Sequence, residues 1–75
     1  MNKMRRQQLR KLICELEGLK SKLEDIQWDE QDYFDNMPEN LQGSVNGMNS
    51  EEAIDKMDDA LSIFDEVIEA IEDII

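Results

Sequence analysis

The run from Leu9 to Met37, LRKLICELEGLKSKLEDIQWDEQDYFDNM, decides the fold. Within it Leu9, Leu12, Leu16, Leu19, Leu23, Ile26, Glu30, Tyr33 and Met37 step by alternating three and four residues. That rhythm is the signature of a helix packed along a partner helix. Only Glu30 interrupts the apolar series. The residues between are mostly Arg, Lys, Gln and Glu, which favour helix; Gly18, at an outer position, costs about 1 kcal/mol against alanine. The spacing therefore predicts a first helix over about residues 3–36.

Asn36-Met37-Pro38 ends it, because proline lacks the N–H that a helix interior requires and disfavours helical geometry in the residue before it. Pro38, Asn40, Gly43, Ser44, Asn46, Gly47 and Asn49 follow, a composition that reads as a loop over residues 37–49. Twelve or so residues is long for a helix–helix connection. A second helix is expected over about residues 50–75. Asn49 and Ser50 can accept its first N–H groups, and Glu52 completes a capping box if Asn49 is the cap. Ile54, Met57, Leu61, Phe64, Ile68, Ile71 and Ile75 repeat the three-four rhythm, and Ala53, Ala60, Val67 and Ile74 form a second row beside it. Ile63 and Ala70 add apolar surface further out. Three apolar positions per heptad is wider than a two-stranded seam uses and suits a bundle.

Seventy-five residues allow one domain, an all-α antiparallel helical hairpin. So short a chain buries little surface and usually relies on disulfides, a metal or oligomerisation. Cys14 is the only cysteine and there is no histidine, so neither an internal disulfide nor the usual zinc site can form. The expected device is self-association: a homodimer, closing as a four-helix bundle through Ala53, Ile54, Met57, Ala60, Leu61, Phe64, Val67, Ile68, Ile71 and Ile74.

Charge is divided along the chain. Residues 1–22 carry seven of the eight bases against Glu15 and Glu17, a net +5; residues 23–75 carry Lys56 against the other seventeen acids, a net −16. Folding back near Gly43 sets Lys20 and Lys22 near Asp65 and Glu66, Arg10 and Lys11 near Asp73, and Glu30 near Lys56. The charges that oppose each helix's own dipole are then offset by its antiparallel neighbour. Residues 1 to about 8, with Arg5 and Arg6, extend past the end of the second helix.

Catalytic equipment is missing from the sequence. Ser–His and Cys–His pairs are excluded without histidine. Cys14 has Arg10 and Lys11 nearby but no general base, and falls on an outer position. Glu51, Glu52 and Asp55, or Glu66, Glu69 and Asp73, have the spacing of helical Mg²⁺ ligands, yet such sites require inward carboxylates on two helices, and these fall outward. No EF-hand loop or phosphate loop is present. Five bases within residues 3–11 attract phosphate, but the −16 remainder repels nucleic acid. The expectation is a non-enzyme with no metal and no cofactor.

No stretch approaches the ~20 apolar residues that span a bilayer, and the N-terminus lacks a signal-peptide core. With a single thiol, the chain is expected to be cytoplasmic. Tyr33 is expected in the core, with Trp28 and Phe34 covering the loop or anchoring a partner.

The stretch Tyr33-Phe34-Asp35-Asn36-Met37-Pro38-Glu39-Asn40-Leu41-Gln42 resembles the linker YDNLPENLQ of short helical-hairpin proteins from Gram-positive bacteria and their phages, with Phe34 as an insertion. Those proteins share the layout of a basic-to-acidic first helix and an acidic second helix. The resemblance implies the hairpin and carries no ligand or catalytic residue with it.

Two functions follow as expectations. The first is a self-associating protein–protein interaction or regulatory module with an as yet undefined protein partner. The second is an acidic inhibitor that imitates nucleic acid on a DNA- or RNA-binding protein. The candidate partner surface is Trp28, Phe34, Arg5, Arg6, Asp58, Asp65 and Glu69.

Overall fold

Asn2 starts the first helix: its side-chain oxygen accepts the Arg5 N–H at 2.8 Å, satisfying one of the donors a helix start leaves free. A computed structural model describes all 75 residues and contains three helices, α1 (Lys3–Asp35), α2 (Glu39–Gln42) and α3 (Val45–Glu72). α1 ends where the sequence predicts. The Asn36 amide donates to the Asp32 carbonyl at 2.8 Å, and Pro38 then turns the chain into the single turn of α2.

α3 begins at Val45, five residues before the expected start. Val45, Asn46, Gly47 and Asn49 are poor helix formers, which is why the segment reads as loop. Tertiary contacts override that preference. Ser44, rather than Asn49, is the cap, accepting from the Gly47 N–H at 3.3 Å and donating to the Leu41 carbonyl. The long connection is thereby reduced to Asn36–Pro38 and Gly43–Ser44, with α2 between.

Gly47 is buried because α2 lies directly on it: a Cβ there would stand 2.1 Å from the Gln42 carbonyl oxygen. The corner leaves no room for any other residue. One turn on, Ser50 is also buried, and its hydroxyl has no hydrogen-bond partner. The Gln42 side chain closes the corner from the other side by donating towards the Phe34 and Met37 carbonyls.

α1 and α3 then run antiparallel for most of their length and make nearly all the tertiary contact. The molecule is a rod 59 Å long with a radius of gyration of 17.3 Å, where a compact domain of this length has a radius of about 11 Å. Two helices make no enclosed interior. Among the apolar side chains only Ile68 is buried.

The seam differs from expectation in one respect that matters below. On α1 the half-buried positions are Leu9, Ile13, Leu16, Lys20, Leu23, Gln27, Glu30 and Phe34, with Glu24 and Gln31 at the edge of the seam. Leu9, Leu16, Leu23 and Glu30 are as expected, but the second row is Ile13, Lys20, Gln27 and Phe34, not Leu12, Leu19, Ile26 and Tyr33. Phe34 takes the place expected for Tyr33, which is exposed.

Replacing Gly47 by alanine is expected to destabilise the hairpin by about 1–3 kcal/mol, the usual cost of overpacking. Gly18→Ala, at an open position, is expected to stabilise it by about 1 kcal/mol. Thermal melting followed by circular dichroism reads both, and equal effects would contradict the corner geometry. By the same measurement Ser50→Ala raises stability by about 1 kcal/mol, since it removes a buried hydroxyl without a partner.

Candidate interaction surfaces

The two flanks of the seam have opposite chemistry. On one, the Lys20 ammonium donates to Asp65 at 2.6 Å, and Gln27 donates to the Ile54 carbonyl at 3.2 Å and to the Asp58 carboxylate. Glu17, Glu24, Glu69 and Glu72 stand around the Lys20–Asp65 pair. The hydrogen bond to Asp65, reinforced by the charges of Asp65, Glu24 and Glu17, holds the Lys20 ammonium above the ordinary lysine value of 10.5. Trp28 lies further along this flank over Gln27, Gln31, Ile54 and Asp58, and is largely exposed.

The other flank is apolar. A groove between the helices is lined by Leu16, Ala60, Ile63, Phe64 and Val67, without a polar side chain. Leu12 and Leu19 neighbour Leu16 on the helix surface, on the side away from Glu17 and Lys20. Leu12, Leu19, Ile26 and Tyr33 recur every seven residues and so form one row along α1; Ala53, Ala60 and Val67 do the same along α3, and Ile74 continues that spacing in the turn just past Glu72, where α3 ends three residues short of the expected residue 75. Leu12, Leu19, Ile26, Tyr33, Ile63, Val67 and Ile74 are each 41–58% exposed.

The residues expected to mediate association fall into two groups. Ile54, Met57, Leu61, Phe64, Ile68 and Ile71 are half-buried or buried along the length that α3 packs on α1. Ala53, Ala60, Val67 and Ile74 lie on the apolar flank. The row Leu12, Leu19, Ile26 and Tyr33, expected in the hairpin's own seam, is exposed instead. The signal for that exchange was the competing series Ile13–Lys20–Gln27–Phe34, hidden by its two polar members.

Of the other expected site residues, Phe34 is half-buried beside Ile54. Asp58 and Asp65 are held by Gln27 and Lys20, while Glu69 remains open. Arg5 and Arg6 lie in the overhang, where residues 1–8 are all exposed. Lys20 reaches Asp65 as expected, but Lys56 pairs with Glu52 of its own helix at 3.0 Å, not with Glu30. The i,i+4 spacing supplies that nearer carboxylate. Lys11 approaches Glu15 at 4.0 Å, also within its own helix.

Cys14 is exposed. No three carboxylate or thiol groups converge closely enough to hold a metal ion, and no helix is long and apolar enough to cross a membrane. The chain belongs to the class of all-α helical hairpins. No family model, curated protein or solved structure matches it.

The Lys20–Asp65 contact carries a definite pH dependence. A lysine held above its ordinary value contributes stability that is complete below pH 10.5 and is lost as pH rises through the folded value. Lys20→Met is therefore expected to melt below the parent throughout neutral and mildly alkaline pH, with the gap closing above pH 10.5. Lys22→Met, outside the contact, serves as the control. A gap equal for the two variants, or unchanged at high pH, would refute the assignment.

Proposed function

We propose that this chain is a non-enzymatic interaction module that pairs with a second copy of itself, two hairpins closing as a four-helix bundle over their apolar flanks. The observation that carries the reading is the choice of seam. The hairpin encloses Lys20 and Gln27 and leaves the wholly apolar row Leu12, Leu19, Ile26 and Tyr33 in water. On a monomer that choice wastes apolar area. In a four-helix bundle it places the polar members on an outer flank and the apolar row inside.

The surface area agrees. A compact monomer of 8.8 kDa exposes about 4,800 Å², whereas this chain exposes 5743 Å². The excess, roughly 1,000 Å², is close to the ~800 Å² that each partner gives up in a standard interface. Around Leu16, Ala60, Ile63, Phe64 and Val67 the apolar surface is continuous from one helix to the other, the arrangement that marks an interaction site rather than scattered surface leucines.

Size exclusion with light scattering tests the reading. The expected mass is twice the 8.8 kDa of the chain, with a melting temperature that rises with concentration, as linkage requires of a dimer. Leu19→Glu and Val67→Glu, each placing a charge on the flank, are expected to halve the mass. A parent of monomer mass with a sharp, concentration-independent melt would overturn self-association.

A further inference from the structure

We infer that the second copy packs head to tail, with the loops of the two hairpins at opposite ends of the bundle. The inference rests on the self-association reading and adds its geometry.

The apolar rows alone permit two arrangements. The row Leu12–Tyr33 is centred between residues 22 and 23, and the row Ala53–Ile74 between residues 63 and 64. The Lys20–Asp65 and Gln27–Asp58 contacts bring those centres to the same level along the hairpin, within about one residue, or ~1.5 Å. A two-fold axis across the helices at that level lays each row on its own copy: Leu19 meets Ile26, Leu12 meets Tyr33, Ala60 meets Val67 and Ala53 meets Ile74. An axis along the helices, with both loops at one end, lays Ile26 and Tyr33 on Ala60 and Ala53 and fits equally well by size.

Charge separates the two. The loop half of the hairpin, residues 23–62, holds twelve acids and Lys56, a net −11; the terminal half, residues 1–22 and 63–75, holds seven bases and seven acids. With the loops together, two halves of −11 lie side by side over a bundle width comparable with the screening length of about 8 Å at physiological salt. Head to tail, each lies instead against the half bearing Lys3, Arg5, Arg6, Arg10 and Lys11.

α1 is complementary to its own antiparallel copy: net +5 over residues 1–22, while residues 23–42 hold seven acids and no base. The overhang fits too. Lys3, Arg5, Arg6 and Arg10 have no ion-pair partner within the hairpin, and the head-to-tail register sets Arg6 at the level of Glu39 and Arg10 at the level of Asp35 of the second copy. Like charges opposed across an interface suppress the wrong arrangement more than matched ones strengthen the right one.

The experiment is a pulsed electron-paramagnetic-resonance distance between nitroxides on Asn40→Cys in a Cys14→Ser background, with light scattering on the same labelled sample. Asn40 is exposed in α2, at the loop end. A dimer with a distance of roughly 50 Å, set by the 59 Å rod and the ~1.5 Å rise per residue, is the expected result. A dimer with a distance below about 30 Å, as for loops on helices some 10 Å apart, would overturn the head-to-tail sense and leave self-association standing. A monomer mass would remove self-association itself, and this inference with it.

Discussion

A helix can bury only one stripe against one neighbour, and a chain of two long helices has one such contact to make. Everything else in this structure depends on which stripe is spent on it. α1 offers three rows: one apolar except for Glu30, one wholly apolar, and one in which Ile13 and Phe34 bracket Lys20 and Gln27. The hairpin takes the first and third. Lys20 and Gln27 are accepted into the seam because α3 presents Asp65, Asp58 and the Ile54 carbonyl at the right levels. A half-buried polar group with a partner costs little, whereas one without would cost about 1–3 kcal/mol. These bonds fix the rotation of α1 about its axis, and that rotation turns the remaining apolar row outward.

The sequence carried the helices, their antiparallel sense and the Lys20–Asp65 pairing, because each rests on a strong local signal: heptad spacing, the Pro38 break and the charge division between residues 1–22 and 23–75. It did not carry the rotation. Leu12, Leu19, Ile26 and Tyr33 look more like a core row than Ile13, Lys20, Gln27 and Phe34 do, and a rule that counts apolar residues chooses them. Which row a helix turns inward is settled by what lies opposite, which is information held on the other helix. The start of α3 was obscured for a related reason. Val45, Asn46, Gly47 and Asn49 are weak helix formers, and their helix depends on Ser44 as a cap and on α2 packing onto Gly47.

The corner makes the hairpin specific. A loose loop over residues 37–49 would let α3 slide or turn along α1, with several registers of similar energy. The structure replaces that loop with one helical turn wedged between the ends of α1 and α3. Gln42 donates towards the carbonyls of Phe34, in the last turn of α1, and Met37, just beyond it, and Gly47 admits the α2 backbone. The register is thus set at the closed end by shape and near the middle by Lys20 and Asp65. Toward the open end nothing comparable is present, and the basic overhang has no internal partner.

That gradient, from a shape-locked acidic end to an unpartnered basic one, bears on how such a rod meets another molecule. Its apolar flank gives adhesion without direction, since stripes of similar spacing match in more than one sense. Its charges give direction without much adhesion, since exposed ion pairs contribute only about 0–1 kcal/mol each. Neither suffices alone. In the self-association proposed above they divide the work: the flank of Leu12, Leu19, Ile26, Tyr33, Val67 and Ile74 provides the area, and the contrast between the −11 loop half and the neutral terminal half chooses among the ways that area can be covered. The opposite flank, with Glu17, Glu24, Glu69 and Glu72 around the Lys20–Asp65 ion pair, faces water. There its carboxylates keep their hydration, and their like charge opposes the approach of another acidic surface.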